Sequence, residues 1–228
     1  MSDQVRLMFS DIAPGYDLGN DVLSFGTHRL WKRRMVRAAR VPKGGRVLDL
    51  ATGTGDIALL FAAAVGEGGS VTGVDFCADM IEQARRRPKN QRRSMSFEVG
   101  DAMSLRFADD AFDATSISFG IRNVDDPVRA LAEMRRVTRP GGRVVVLEFG
   151  QPGGLFGSLY RFYTGRIGPI VGGIITGHRD AYAYLDRTAA KFPCDRAFVE
   201  LMNRAGMQRV EWRPLFGGIA WLYVAEVE

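Results

Sequence analysis

Apolar positions along the chain change their spacing in a regular order. Between Thr27 and Arg40, Leu30, Met35, Val36 and Ala39 fall on one helical face while Lys32, Arg33, Arg34 and Arg37 face water, so the first forty residues read as helical and basic. At Gly45–Ala51 (GRVLDLA) the pattern becomes a short continuous apolar run bounded by glycines, the form of a buried parallel strand, and Asp56–Val65 follows as a helix. The step repeats with Ser70–Asp75 as strand and Asp79–Arg87 as helix, then strands at Met95–Gly100 and Phe112–Phe119. A helix over Pro127–Arg139 and a strand over Gly142–Phe149 complete the alternation. Asp125 and Asp126 offer N-caps, Pro127 suits a first turn, and Pro140-Gly141-Gly142 predicts the stop.

From Gly153 to Gly177 the chain is rich in glycine and aromatic residues, which predicts an inserted cap. A helix near Asp195–Ala205 follows, and the runs Gln208–Arg213 and Ala220–Val227 flank a turn over Pro214–Gly218, predicting an antiparallel hairpin. The expected fold is α/β: a mostly parallel seven-stranded sheet closed by a C-terminal hairpin, with a helical cap. At 228 residues a single domain over 1–228 is expected, with 1–40 as its N-terminal helical segment and 151–192 as the cap over the site.

Composition narrows the setting. With 46% hydrophobic and 25% charged residues the chain has none of the biases of disordered proteins. Cys77 and Cys194 are too isolated for a disulfide framework or a zinc cluster, so no metal is expected and a reducing cytoplasm fits. Asp3, Gln4 and Arg6 stand where an export signal needs an apolar run. Leu155–Thr176 is interrupted by Arg161 and Arg166, each costing about 2.5–3.5 kcal/mol at a bilayer centre, so it is not expected to span. The net charge of +5 fits an anionic membrane face or nucleic acid, and equally fits solvated arginine-rich helices.

The chemistry begins at Val47-Leu48-Asp49-Leu50-Ala51-Thr52-Gly53-Thr54-Gly55-Asp56, a glycine-rich turn between strand and helix. Gly53, Gly55 and Ala58 also satisfy the dinucleotide spacing G-x-G-x-x-A, so an NAD-dependent oxidoreductase stands as a rival. Asp49 tilts the balance: a carboxylate at the strand end repels a pyrophosphate but suits the α-amino group of S-adenosylmethionine. Asp75 ends the second strand, where a carboxylate accepts ribose hydroxyls from either cofactor. Asp101 and Ala102 end the third, placed for the amino group and ring edge of adenine. A nucleic-acid amino methyltransferase would carry Asn/Asp-Pro-Pro-aromatic where Ser118-Phe119-Gly120 stands, so nucleic acid is not an expected partner.

The segment from Tyr16 to Trp31 (YDLGNDVLSFGTHRLW) resembles the N-terminal signature of the ubiquinone/menaquinone biosynthesis C-methyltransferases, with Tyr16, Asp17, Asn20, Ser24, His28 and Trp31 on its fixed positions. Arg136–Gly142 running into Val146-Leu147-Glu148-Phe149 is similar to the family's second signature, and Ile117–Val124 to its fourth-strand motif. Gly19, Arg139 and Gly150 depart from the pattern without removing an ionisable group from the site. Taken alone, Trp31 fits the core, and His28 fits a surface or capping residue as well as a catalyst.

The resemblance implies a Rossmann-like class I S-adenosylmethionine-dependent methyltransferase that methylates a ring carbon of a prenylated hydroquinone. Demethylmenaquinol is the favoured acceptor, partly because the chain is short, and the benzoquinol step of the ubiquinone pathway is the alternative. A non-catalytic subunit of a quinone-synthesis complex is a more distant one. The resemblance also implies that Tyr16, Arg122 and Asn123 lie near the reacting ring, and that Ala51, Gly53, Thr54, Gly55 and Ser118 join Asp49, Asp75, Asp101 and Ala102 around the cofactor. Arg122, always protonated, suits oxyanion stabilisation rather than base catalysis. The apolar side chains from Leu155 to Ile175 would line a channel for the prenyl tail or add to the core. Arg29–Arg40 would meet anionic headgroups in peripheral contact with the inner face of the cell membrane. A homodimer is left open.

Overall fold

The computed structural model describes Met8 and residues 16–228. The basic N-terminal stretch forms two helices, α1 (Tyr16–Leu23) and α2 (Thr27–Ala38). At the corner between them the Ser24 hydroxyl lies 2.7 Å from His28 Nδ1, and Asp21 lies 3.5 Å from Nε2. Burial lowers the pKa of this imidazole, so it ties the corner as a neutral group. Trp31, Met35 and Val36 are buried as the spacing predicts, but Leu30 is exposed because the inward face runs through His28, Trp31, Met35 and Ala39.

The alternation then follows as β1 (Arg46–Leu50), α3 (Asp56–Val65), β2 (Ser70–Asp75), α4 (Ala78–Arg86), β3 (Met95–Val99), β4 (Phe112–Ser118), α5 (Pro127–Val137) and β5 (Thr138–Phe149). Helix α6 (Gly154–Phe162), a π-helical turn (Tyr163–Ile167), α7 (Gly168–Thr176) and α8 (Arg179–Lys191) come next. Then come α9 (Arg196–Arg204), β6 (Glu211–Leu215) and β7 (Ala220–Glu226). The seven strands lie in the order β3-β2-β1-β4-β5-β7-β6, with β7 antiparallel to both neighbours and the rest parallel.

The central strands are apolar on both faces because both are covered. Met35, Phe61 and Ile81 from α2, α3 and α4 pack on one side, and Leu131, Met134, Phe198 and Met202 from α5 and α9 on the other. Phe61→Ala, at a position with no exposure, is expected to destabilise the fold by about 3–5 kcal/mol in denaturant titration.

Element boundaries differ from the sequence expectation most instructively at two places. Helix α5 starts as predicted, with the Asp126 carboxylate accepting the Arg129 N–H, but ends at Val137 rather than Arg139. Arg139 precedes a proline, which disfavours helical backbone, and Thr138 already pairs with Phe112. The Pro140–Gly142 stretch therefore sits within a register shift of β5, not at a helix end. Strand β6 extends through Pro214, which sheet position permits because β6 is an edge.

Candidate active site

Strand order reverses between β1 and β4: the chain winds outward through β2 and β3, then returns to the other side of β1. Such a switch point opens a crevice beyond the carboxyl ends of the strands. Here it is a cleft of about 430 Å³, open mouth included, lined by Leu50, Ala51, Asp75, Asp101, Ala102 and Gly120 among others. Its walls hold unusual backbone: Ala51 and Phe119, at the tips of β1 and β4, both have positive φ. The two tips approach so closely that a Cβ on Gly120 would stand 2.3 Å from that of Ala51. Gly120→Val is expected to push the tips apart and weaken any ligand in the cleft at least tenfold, read by calorimetry.

Two strand-tip carboxylates, Asp75 and Asp101, line this cleft, and a third, Asp49, lies behind its wall, next in sequence to Leu50. Asp49 is fully buried in β1, with the Thr52 hydroxyl donating to one oxygen and the Ser116 hydroxyl to the other, each at 2.7 Å. Asp75 accepts the Gly53 N–H at 2.8 Å and the Cys77 N–H at 2.9 Å, and Asp101 accepts the Met103 N–H at 2.9 Å. Burial pushes the pKa of Asp75 up against these hydrogen bonds.

Burial likewise raises Asp49 to about 6, with the Ser116 and Thr52 hydroxyls holding it down. A carboxyl that ionises near 4 when unfolded and near 6 when folded adds stability below that window. The contribution is lost as pH rises through it. Asp49→Asn is therefore expected to flatten the stability loss between pH 4 and pH 6. It should leave the fold more stable at pH 7.5 by as much as about 3 kcal/mol, measured by denaturation at the two ends of the window.

The glycine-rich turn is held from below. Asn90 donates to the Thr54 and Ala84 carbonyls, both at 2.9 Å, and Arg87 donates to the Thr54 carbonyl and hydroxyl. Asp56, first residue of α3, receives Lys32, Arg87 and Lys89. Burial opposes its ionisation, but those cations outweigh it and hold the carboxyl down to about 2. Thr54 is thus buried against Arg87 and absent from the cleft wall, whereas Gly53 has open space beside it for a ligand to approach. Ser118 is likewise absent from the wall; Ser116, two residues earlier and paired in register with Asp49, makes the contact to the acid. Gly55 packs against Asn90 and Phe97.

Beyond Gly120 the chain makes a 3-10 turn, Ile121–Asn123, that places Arg122 and Asn123 beside the cleft. The Arg122 guanidinium is paired with Glu148 on β5 at 2.7 Å, and both side chains are only 2% exposed. The same nitrogen donates to the Phe119 carbonyl, and the guanidinium lies 5.1 Å from the centre of the Phe149 ring. Glu148 is fixed in turn by the Phe149 N–H at 2.8 Å. Arg122 Nε and Asn123 Oδ1 are buried without a hydrogen-bond partner, one donor and one acceptor on adjacent residues. Burial raises the pKa of Tyr160 to about 12 and also moves that of Tyr184 upward, with Arg122 pulling both down. Both phenols are therefore donors at neutral pH. Tyr16 begins α1, but its side chain lies outside the described residues.

The model of the ubiE/COQ5 methyltransferase family matches residues 1–226. The chain is 50% identical over 226 residues to the ubiquinone/menaquinone biosynthesis C-methyltransferase UbiE of Bdellovibrio bacteriovorus, covering 98% of this chain and 96% of that one. It is 44% identical over 220 residues to the demethylmenaquinone methyltransferase of Thermus thermophilus, covering 96% and 99%. Among solved structures, a SAM-dependent methyltransferase of Thermotoga maritima superposes with a TM-score of 0.68 at 21% identity, covering 98% of this chain and 100% of that one. Another, from Aquifex aeolicus, gives 0.64 at 16% identity over 86% and 89%. The sheet described above is thus the Rossmann-like methyltransferase fold.

Proposed function

Since the chain belongs to the ubiE/COQ5 methyltransferase family, we propose that it methylates a ring carbon of demethylmenaquinol. It is an S-adenosylmethionine-dependent C-methyltransferase of quinone biosynthesis. The observation that carries the finer reading is the buried Arg122–Glu148 pair, set beside an acidic cleft and flanked by two unpartnered polar atoms. The likeness to a demethylmenaquinone methyltransferase along nearly the full length of both chains supports the naphthoquinol as acceptor.

The cleft suits the donor by its chemistry. Carboxylates at its base and rim accept hydroxyls and amines and repel phosphates, which disfavours a dinucleotide. In this reading Asp49 answers the ammonium of the amino-acid end, Asp75 the ribose hydroxyls, and Asp101 with Ala102 the adenine. Ala51 and Gly53 let the ligand lie against backbone, while Thr54, Gly55 and Ser118 act from behind by shaping the turn and the β4 tip. S-adenosylmethionine supplies an electrophilic methyl on its sulfonium. Because ammonium binding requires ionised Asp49, affinity is expected to rise with pH through about 6.

A ring carbon attacks well only as the neighbouring hydroxyl loses its proton, so the protein must stabilise a developing oxyanion. Arg122 serves this end: Glu148 occupies one arm of the guanidinium and fixes its plane, while Nε remains to donate to the acceptor oxygen. Asn123 Oδ1 is a ready acceptor for the ring's other hydroxyl. Tyr160 and Tyr184 keep their protons at neutral pH, so the leaving proton passes to water, directly or relayed through the Tyr16 hydroxyl as it gives up its own proton. Purified chain given S-adenosylmethionine and a short-tail demethylmenaquinol is expected to yield a product heavier by one methylene in mass spectrometry. Product from a ubiquinone-pathway benzoquinol alone would transfer the assignment to that branch.

A further inference from the structure

The helical run from Gly154 to Thr176 packs in part against α1 and against α8, the helix that meets the Ile121–Asn123 turn, and leaves one face bare. Inward, Tyr160 is half-buried and the Tyr163 hydroxyl donates to the Leu23 carbonyl at 3.1 Å. Outward, Leu155, Leu159 and Phe162 are 89%, 67% and 58% exposed at the spacing of one helical face. Beyond the π-helical turn the stripe continues through Ile170 and Ile174, the latter 80% exposed. Phe25, at the α1–α2 corner with its ring 6.1 Å from that of Tyr163, extends it. Exposed apolar side chains gathered on neighbouring helical segments in this way point to an interaction site.

Charge decides among occupants. No acidic residue occurs between Glu148 and Asp180 in the sequence, and exposed Arg161 and Arg166 border the stripe. A second copy seated on this face would oppose like charges around the two-fold axis. Among the described residues no helix is long and apolar enough to cross a membrane. An apolar stripe edged by arginines suits a helix lying in the plane of an anionic lipid surface.

We propose that the outer face of α6, the π-helical turn and α7 inserts into an anionic bilayer surface, bringing the acceptor side of the site to the headgroup layer. The proposal deepens the reading of a lipid-borne quinol acceptor. Vesicle flotation contains no quinol, so loss of membrane binding and loss of methyl transfer are read separately.

The test is flotation of the full chain with phosphatidylcholine vesicles, with and without phosphatidylglycerol, at low and high salt. The unmodified chain is expected to float with the anionic vesicles and to release in high salt. The doubly substituted Leu155→Gln/Leu159→Gln chain is expected to bind them about a hundredfold more weakly, tenfold per side chain, with its S-adenosylmethionine binding heat unchanged. Arg166→Gln should cost roughly fivefold. Leu159→Trp should still float and shift its emission to the blue on binding. Flotation of the Leu155→Gln/Leu159→Gln chain at parental level, or a parent that ignores anionic vesicles, would overturn the proposal. So would a dimer lost by that double substitution while flotation persists.

Discussion

Glu148→Ala is expected to cost the fold about 3–5 kcal/mol and to slow turnover by roughly a hundredfold, although in the proposed mechanism Glu148 touches neither donor nor acceptor. The stability loss follows from burial: with both side chains 2% exposed, removing the acid strands a guanidinium where water cannot solvate it. The loss of rate follows from geometry, because the Phe119 carbonyl and the Phe149 ring would hold less firmly an arginine now free to turn its Nε away from the acceptor. The double substitution Arg122→Met/Glu148→Leu separates the two effects. Apolar replacement of a buried pair is often neutral or stabilising, so the double variant should recover most of the lost stability while remaining inactive. Thermal melts beside a methyl-transfer assay check both halves, and recovered activity in the double variant would remove Arg122 from the mechanism.

Asp75→Ala is expected to weaken S-adenosylmethionine binding by about two to four decades, from two lost charge-assisted hydrogen bonds of about 1.5–3 kcal/mol each. The same change strips the Gly53 and Cys77 N–H groups of their acceptor, so the glycine-rich turn loses its tie to β2. Asp75→Asn keeps an acceptor for one of them and should fall between the two. Calorimetry with S-adenosylhomocysteine reads the loss directly. An affinity within threefold of the parent for Asp75→Ala would take Asp75 out of the cradle.

The sheet was legible because its strands are apolar runs punctuated by glycine and proline, and buried parallel strands need little else. The carboxylates were legible for a related reason: a charged residue at the end of an apolar run stands out, as Asp49, Asp75 and Asp101 do. Their partners were hidden. Ser116 reaches Asp49 across 67 residues only because β4 lies next to β1, a neighbour relation set by strand order. Glu148 meets Arg122 for the same reason, through the adjacency of β4 and β5. Thr52, three residues from Asp49, carried a local signal in its hydroxyl beside the turn. The apolar residues of the cap left a tail channel and added core equally open, because hydrophobicity alone does not say which way a helix faces; Leu155, Leu159 and Ile174 are in fact exposed.

Single-turnover methylation by Arg122→Met tests the central claim most directly, with enzyme preloaded with S-adenosylmethionine and mixed with short-tail demethylmenaquinol. The expected result is parental heat of donor binding with ring methylation slowed by about a thousandfold. Ring methylation at the parental rate would contradict it.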